Sequence, residues 1–172
     1  MNNICNPMKN VLTIALFFAA ALPVYGQVSL YGQYKTGQPK EAVEKLDRSL
    51  RLNGMYYFIE PDFDQEDKLI QIRMINYDYV SIRDHNVVRN RAKGLVDLMA
   101  YKFGSPGLLD LDQPLNCRPG VPNPVAVWEN AGKIIVIDIA CAQEDRYHLV
   151  LTVKANSQMA KAERKAFRLA EN

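Results

Sequence analysis

Residues 125–154 constrain this chain more than any other stretch. They read VAVWEN, a turn at Asn130-Ala131-Gly132, KIIVIDIAC, a polar break AQEDR, and YHLVLTVKA. Three β-prone runs separated by short polar breaks specify consecutive antiparallel strands, a meander. In the middle run Ile135, Ile137, Ile139 and Cys141 alternate with Ile134, Val136, Asp138 and Ala140, so both faces are largely apolar. That pattern predicts the central strand of a sheet. In the last run Tyr147, Leu149, Leu151 and Val153 alternate with His148, Val150, Thr152 and Lys154. One face is then buried, and helices from upstream pack on it; the other is largely wet.

The chain has 172 residues, and residues 1–26 read as a cleavable secretory signal. Lys9 supplies a positive start, residues 11–22 are apolar, and Pro23-Val24-Tyr25-Gly26 precedes Gln27. The apolar run is shorter than the roughly 20 residues of a membrane span, and no second such run follows. Met1 and Met8 are both candidate starts, and no cysteine stands at the cleavage point to be lipidated. The expectation is an exported protein of the periplasm or extracellular space, not a lipoprotein, whose tie to the membrane ends with the signal. Removing 26 of 172 residues leaves 146, the size of one domain, residues 27–172. The formal charge is +2 with cations and acids interleaved, which excludes an electrostatic footprint for nucleic acid. Cys117 and Cys141 remain as an even pair. In an oxidising compartment a disulfide between them is the simplest reading, and two buried thiols the alternative. Neither has a second ligand at metal spacing, so no metal is expected.

Along the mature chain, 27–34 is an edge strand or an ordered arm interrupted by Gly32. Pro39 followed by Ala42, Val43, Leu46 and Leu50 at helical spacing predicts an amphipathic helix over 39–52, ended by Asn53-Gly54 as a left-handed cap. MYYFIE and KLIQIRMINYDY predict a hairpin with Ile70, Ile72 and Met74 on one side, around an acidic turn containing Asp62, Asp64, Glu66 and Asp67. That turn lacks the twelve-residue calcium-loop pattern and reads as solvated. Asp84 or Asn86 caps a second helix whose apolar face is Val88, Ala92, Leu95, Val96, Met99 and Phe103, closed by Gly104. The Pro-rich stretch 107–124 is a long loop, and Cys117 offers a reason for its order. A terminal helix, 158–170, carries Met159, Ala162, Ala166, Phe167 and Ala170 opposite Lys161, Arg164, Lys165 and Arg168.

Chemistry-bearing groups are sparse. Asp84-His85 has no nucleophile to serve, and a capping acid beside an exposed histidine accounts for it. Glu129 with Asp138 near Trp128 forms a glycosidase-like pair only within a cleft that sets the carboxyls about 5–10 Å apart. No cofactor motif occurs. The tyrosines Tyr56, Tyr57, Tyr77 and Tyr79, with Phe58, are either core and cross-strand pairs or an aromatic surface for sugars, peptides or bases. Tyr56, Tyr77, Tyr79 and His148 are the candidate binding residues.

The order helix, hairpin, helix ending in YKFGSP, loop, VAVWEN, GKIIVIDIA, YHLVLTVKA resembles a recurrent pattern in small exported bacterial proteins of unknown function. The layout also looks like the β-lactamase-inhibitor-protein and small outer-membrane-assembly lipoprotein folds, whose members bind proteins; the lipidated cysteine of the latter is missing. The resemblance implies a fold and no site residues. The expected fold is α+β, an antiparallel sheet of about four to six strands, hairpin plus three-stranded meander, with helices packed on one face. Its expected core is Val43, Leu46, Ile70, Ile72, Leu95, Met99, Phe103, Trp128, Ile135, Ile137, Ile139, Leu149 and Leu151. The functional expectation is a non-catalytic protein contacting another protein or envelope component. The alternative is a small hydrolase or ligand binder using Trp128, His148 and Glu129.

Overall fold

The computed structural model describes residues 27–130, 132–142 and 145–156. In chain order they form β1 (Ser29–Tyr31), β2 (Tyr34–Lys35), one helical turn α1 (Lys40–Val43), β3 (Ser49–Leu52), β4 (Met55–Phe63), β5 (Leu69–Ile75), β6 (Val80–Ser81) and a 3-10 turn (Ile82–Asp84). There follow α2 (His85–Phe103), β7 (Leu108–Leu109), β8 (Pro124–Asn130), β9 (Lys133–Ala142) and β10 (Arg146–Ala155). β1 and β2 pair with each other, and the other eight strands build one antiparallel sheet in the order β3-β4-β5-β10-β9-β8-β7, with β6 beside β10. The expected signal, 1–26, and the expected terminal helix, 158–170, lie outside the described residues.

The meander forms as its alternation requires. β9 and β10 pair in unbroken register from Arg146 opposite Ala142 to Ala155 opposite Lys133. One face carries Ile135, Ile137, Ile139, Leu149, Leu151 and Val153, all buried. β4 and β5 add Tyr57, Ile59, Ile72 and Met74 to it, and β8 adds Trp128. Helix α2 lays Val88, Ala92, Leu95, Val96 and Met99 into the same core. Trp128 is 2% exposed, and its Nε1–H donates to the Gly104 carbonyl at 2.8 Å, which satisfies both the buried indole and the end of α2.

Several expectations need correction. The sheet has eight strands, more than foreseen, and β10 rather than β9 sits at its middle, because β5 pairs with β10 from Ile75–Val150 to Gln71–Lys154. The 39–52 helix is a single turn; beyond it Leu50 and Leu52 belong to β3 and pair with Tyr57 and Met55. Asn53 and Gly54, with φ of 47° and 79°, make the two-residue turn of the β3–β4 hairpin instead of a helix cap. The two motifs share a left-handed requirement, and Asn-Gly meets both. Gly94 of α2 leaves room for the Asn53 side chain of this turn, whose Nδ2 a Cβ there would crowd.

Ile70 is exposed and Leu69 is buried in its stead. The register slips between Asp62 and Phe63, which oppose Gln71 and Leu69, so Ile70 is the extra residue of a β-bulge and the alternation shifts by one. Leu46 and Phe103 pack against the core while remaining partly exposed. Asp84 precedes α2 without a side-chain cap hydrogen bond; Ser81 Oγ instead accepts from Arg83 N–H at the 3-10 turn. Residues 27–34 are not an edge strand of the main sheet but an ordered arm, in which the β1–β2 hairpin buries Leu30 and Tyr34 against the core.

Within the Pro-rich stretch β7 pairs with β8, and the remainder is held by the disulfide Cys117–Cys141, with Cα atoms 4.9 Å apart. Asn123, buried, locks the same loop: its Oδ1 accepts from Asn116 N–H, and its Nδ2 donates to the carbonyls of Asn116 and Ile139.

Candidate binding surface

The face of the sheet opposite α2 is built from the alternate residues of the same strands. On β4 these are Tyr56, Phe58, Glu60 and Asp62; on β5, Gln71, Arg73 and Ile75; on β10, His148 and Val150. Tyr57, one residue along, points the other way and is buried, so the tyrosine pair at 56–57 splits between the faces. Burial pushes the Tyr57 phenol up to about 12.

After β5 the chain continues beside β10, with Asn76 N–H donating to the Leu149 carbonyl and Val80 opposite Tyr147. Asn76 is buried and its Nδ2 donates to the Tyr56 carbonyl at 2.8 Å, tying this segment to β4. Tyr77 and Tyr79 are thereby held on the solvent side. Phe58 to Tyr77, Tyr77 to Tyr79 and Tyr79 to His148 have ring centroids 6.5, 6.1 and 5.5 Å apart, with planes tilted by 52°, 70° and 79°. These are tilted and edge-to-face contacts of the favourable kind. Tyr56 stands at one end with the Arg51 guanidinium 5.5 Å over its ring. The structure therefore brings Tyr77, Tyr79 and His148 together and places Tyr56 beside them.

The rings are open to solvent: Tyr56 is 71% exposed, Tyr77 50%, Tyr79 41% and Phe58 40%. Beside them runs a polar row that sequence reading did not single out. Gln71 Nε2 donates to Asp62, Arg73 pairs with Asp62 at 3.5 Å and with Glu60 at 3.0 Å, and the Tyr77 hydroxyl donates to Glu60 Oε1 at 3.1 Å. Partial burial, then that hydrogen bond, raise the Tyr77 pKa. The signal was present as Glu60 and Asp62 two apart on one strand and Gln71 and Arg73 two apart on the next; the pairing that joins them was not. Between the rings and β3 lies a shallow, open depression of about 590 Å³ lined by Ser49, Met55, Tyr56, Phe58, Asn76 and Tyr77, among others.

His148 and Asp138 lie on this face as diagonal neighbours, His148 opposite Ala140 and Asp138 opposite Val150. Desolvation lowers the histidine's pKa against the opposing pull of Glu60, and its buried Nδ1 has no hydrogen-bond partner. Desolvation raises the Asp138 carboxyl to about 6, and its buried Oδ1 is also unpartnered.

The alternative hydrolytic set does not converge. Trp128 is in the core on the α2 side, whereas Glu129 and His148 are on the other face. Glu129 is level with Ile134, four residues along β9 from Asp138. At a rise of about 3.3 Å per residue the two carboxylates are on the order of 13 Å apart along the strands, beyond a glycosidase spacing. The acidic turn uses Asp64 Oδ1 as acceptor for the N–H groups of Glu66 and Lys68, both at 2.9 Å. Among the described residues no three His, Cys, Asp or Glu gather as a metal site, and no helix is long and apolar enough to cross a membrane. Comparison of the chain with protein-family models, curated proteins and solved structures returns no match.

Proposed function

We propose that this chain is an exported, non-catalytic binding protein that engages a protein partner of the bacterial envelope through the aromatic strip Tyr56, Phe58, Tyr77, Tyr79 and His148. One observation carries the reading: Phe58, Tyr77 and Tyr79, in continuous contact, stand open to solvent on one face of the sheet with exposed Tyr56 beside them, and half-buried His148 ends the strip. Large rings are favoured where they will be desolvated by a partner, and tyrosine is enriched at the residues that dominate binding energy. The rings are ordered before binding by their mutual contacts and by the Asn76 and Glu60 hydrogen bonds, which limits the entropy lost on docking. Export accords with the Cys117–Cys141 bridge.

The test is co-purification from the native envelope fraction with parent, Tyr77→Ala and Tyr79→Ala chains. Each substitution should weaken retention of a partner by roughly tenfold or more while costing little stability, since the rings are half exposed. Retention unchanged by both substitutions would refute the surface. A lone monomer with a hydrolytic activity abolished by His148→Ala would replace the reading with an enzymatic one.

A further inference from the structure

Beyond the aromatic strip the outer face continues over β10, β9 and β8 as an aliphatic surface, which strand register arranges in cross-strand rows. One row runs Thr152, Val136, Val127 and Leu108; the next runs Lys154, Ile134 and Glu129. Val127, Ile134, Val136, Val150 and Thr152 are half-buried and outside the core cluster, and Leu108 is exposed. Among the described residues, α2 and the β1–β2 hairpin pack into the core on the other face. An antiparallel sheet leaves a face to water when that face is polar; this half is aliphatic.

Charge narrows what covers it. By register the strands carry the acids Glu60, Asp62, Glu129 and Asp138 on this side, and the cations Arg51, Arg73, Arg146 and Lys154. Acids and cations balance, so the face suits its own copy better than a polyanion or a polycation. Glu60 and Asp62 are paired with Arg73, and Arg51 lies over Tyr56, on the far side of the sheet. Arg146 is level with Ala142, past the end of β8, whose first residue Pro124 is level with Asp138. Within the aliphatic half that leaves Asp138, Lys154 and Glu129. Among the described residues neither Lys154 nor Glu129 is in a salt bridge, and they stand one strand to either side of Ile134.

That row is self-complementary. A two-fold axis along β9, in the plane of contact, lays Ile134 and Val136 on their own copies and β10 over β8 of the second copy. Lys154 then faces Glu129 of the second copy, and Glu129 faces its Lys154. Such an axis keeps the two sheets aligned, as face-to-face packing requires. Five strands, β5 to β7, at about 4.8 Å span about 24 Å, and six residues of β9 at about 3.3 Å span about 20 Å. The contact is thus roughly 500 Å² per copy and 1,000 Å² in all, the threshold of a specific interface and short of an obligate one. An area of that size fits an association that forms and dissolves.

We propose that this face joins two copies of the chain in a reversible two-fold dimer, with Lys154 of each copy against Glu129 of the other. Tyr56 and Phe58 are on β4, three strands from β9, so the dimer does not rest on the partner-binding reading.

Sedimentation equilibrium of the full chain, from micromolar to millimolar concentration near neutral pH, should show monomer and dimer in exchange. Lys154→Glu and Glu129→Lys should each weaken the dimer by roughly tenfold or more, because each sets like charges face to face on both sides of the axis. An equimolar mixture of the two variants should regain association as a mixed dimer, in which every facing pair is again opposite in sign; that recovery also shows both variants to be folded. Asp138→Asn should tighten the dimer, since the axis brings this carboxylate towards its own copy. A parent that stays monomeric throughout, single variants that dimerise as the parent does, a mixture that regains nothing, or a looser dimer with Asp138→Asn overturns the proposal.

Discussion

Asp138→Asn should stabilise the protein near neutral pH and have little effect in acid. The carboxyl lies among Val136, Ala140 and Val150 on the outer face, with one oxygen buried and unpartnered. Desolvation raises its pKa from 3.8 to about 6, against a smaller opposing pull from Lys154. The folded state therefore holds this proton more tightly than the unfolded state. The stabilising contribution is fully present below pH 4 and is lost as pH rises through 6. At about 1.36 kcal/mol per unit the shift corresponds to roughly 3 kcal/mol, and partial solvent exposure reduces this to about 2 kcal/mol. His148 has the opposite slope in the same region: its folded pKa is lowered, so the neutral imidazole is favoured and stability from it grows as pH rises. Parent and variant must for that reason be compared at each pH, so that the histidine contribution largely cancels. The assay is urea unfolding of both chains at intervals from pH 4 to 7.5. The stability difference should increase in favour of Asn by about 2 kcal/mol between pH 4 and 7, and stay small in acid, where the amide replaces a protonated carboxyl that is equally unpartnered. A difference that does not change with pH would refute the reasoning.

Replacing both Cys117 and Cys141 by Ser should cost about 3 kcal/mol, from the entropy of a loop spanning 24 positions, seen as a lower urea midpoint that reductant no longer shifts. Gly54→Ala should cost about 1 kcal/mol; nothing lies within 4 Å of the added Cβ, so the loss is backbone strain at φ +79° alone, measured by the same unfolding curves. Trp128→Phe should cost about 2 kcal/mol, because it removes the hydrogen bond to Gly104 and leaves unfilled volume in the core; a loss below about 0.5 kcal/mol in calorimetry would mean the indole is not sealed there.

Local patterning was enough for part of this protein. The alternation of 125–154 dictated the β8–β9–β10 meander and the face of β10 that is buried, since a one-residue slip would turn Ile135, Ile137, Ile139, Leu149 and Leu151 to the outer face. The spacing of Val88, Ala92, Leu95, Val96 and Met99 dictated α2, and two leftover cysteines indicated their own bridge. What failed or was silent depended on contacts between distant segments. That β5 lies against β10 is a pairing across more than seventy residues, and neither strand's sequence names its neighbour. Asn53-Gly54 satisfies a helix end and a hairpin turn alike, so only the presence of β4 as a partner for Leu50 and Leu52 decides between them. Ile70 kept its alternation on paper, while the bulge opposite Asp62 and Phe63 turned it outward. The aromatic strip is the same kind of fact: Phe58, Tyr77, Tyr79 and His148 come from β4, the link after β5 and β10, and sequence supplies the rings while the sheet order supplies their contact. Periodicity reports which side of an element prefers water, because that preference is local; which elements meet is set by the whole core at once.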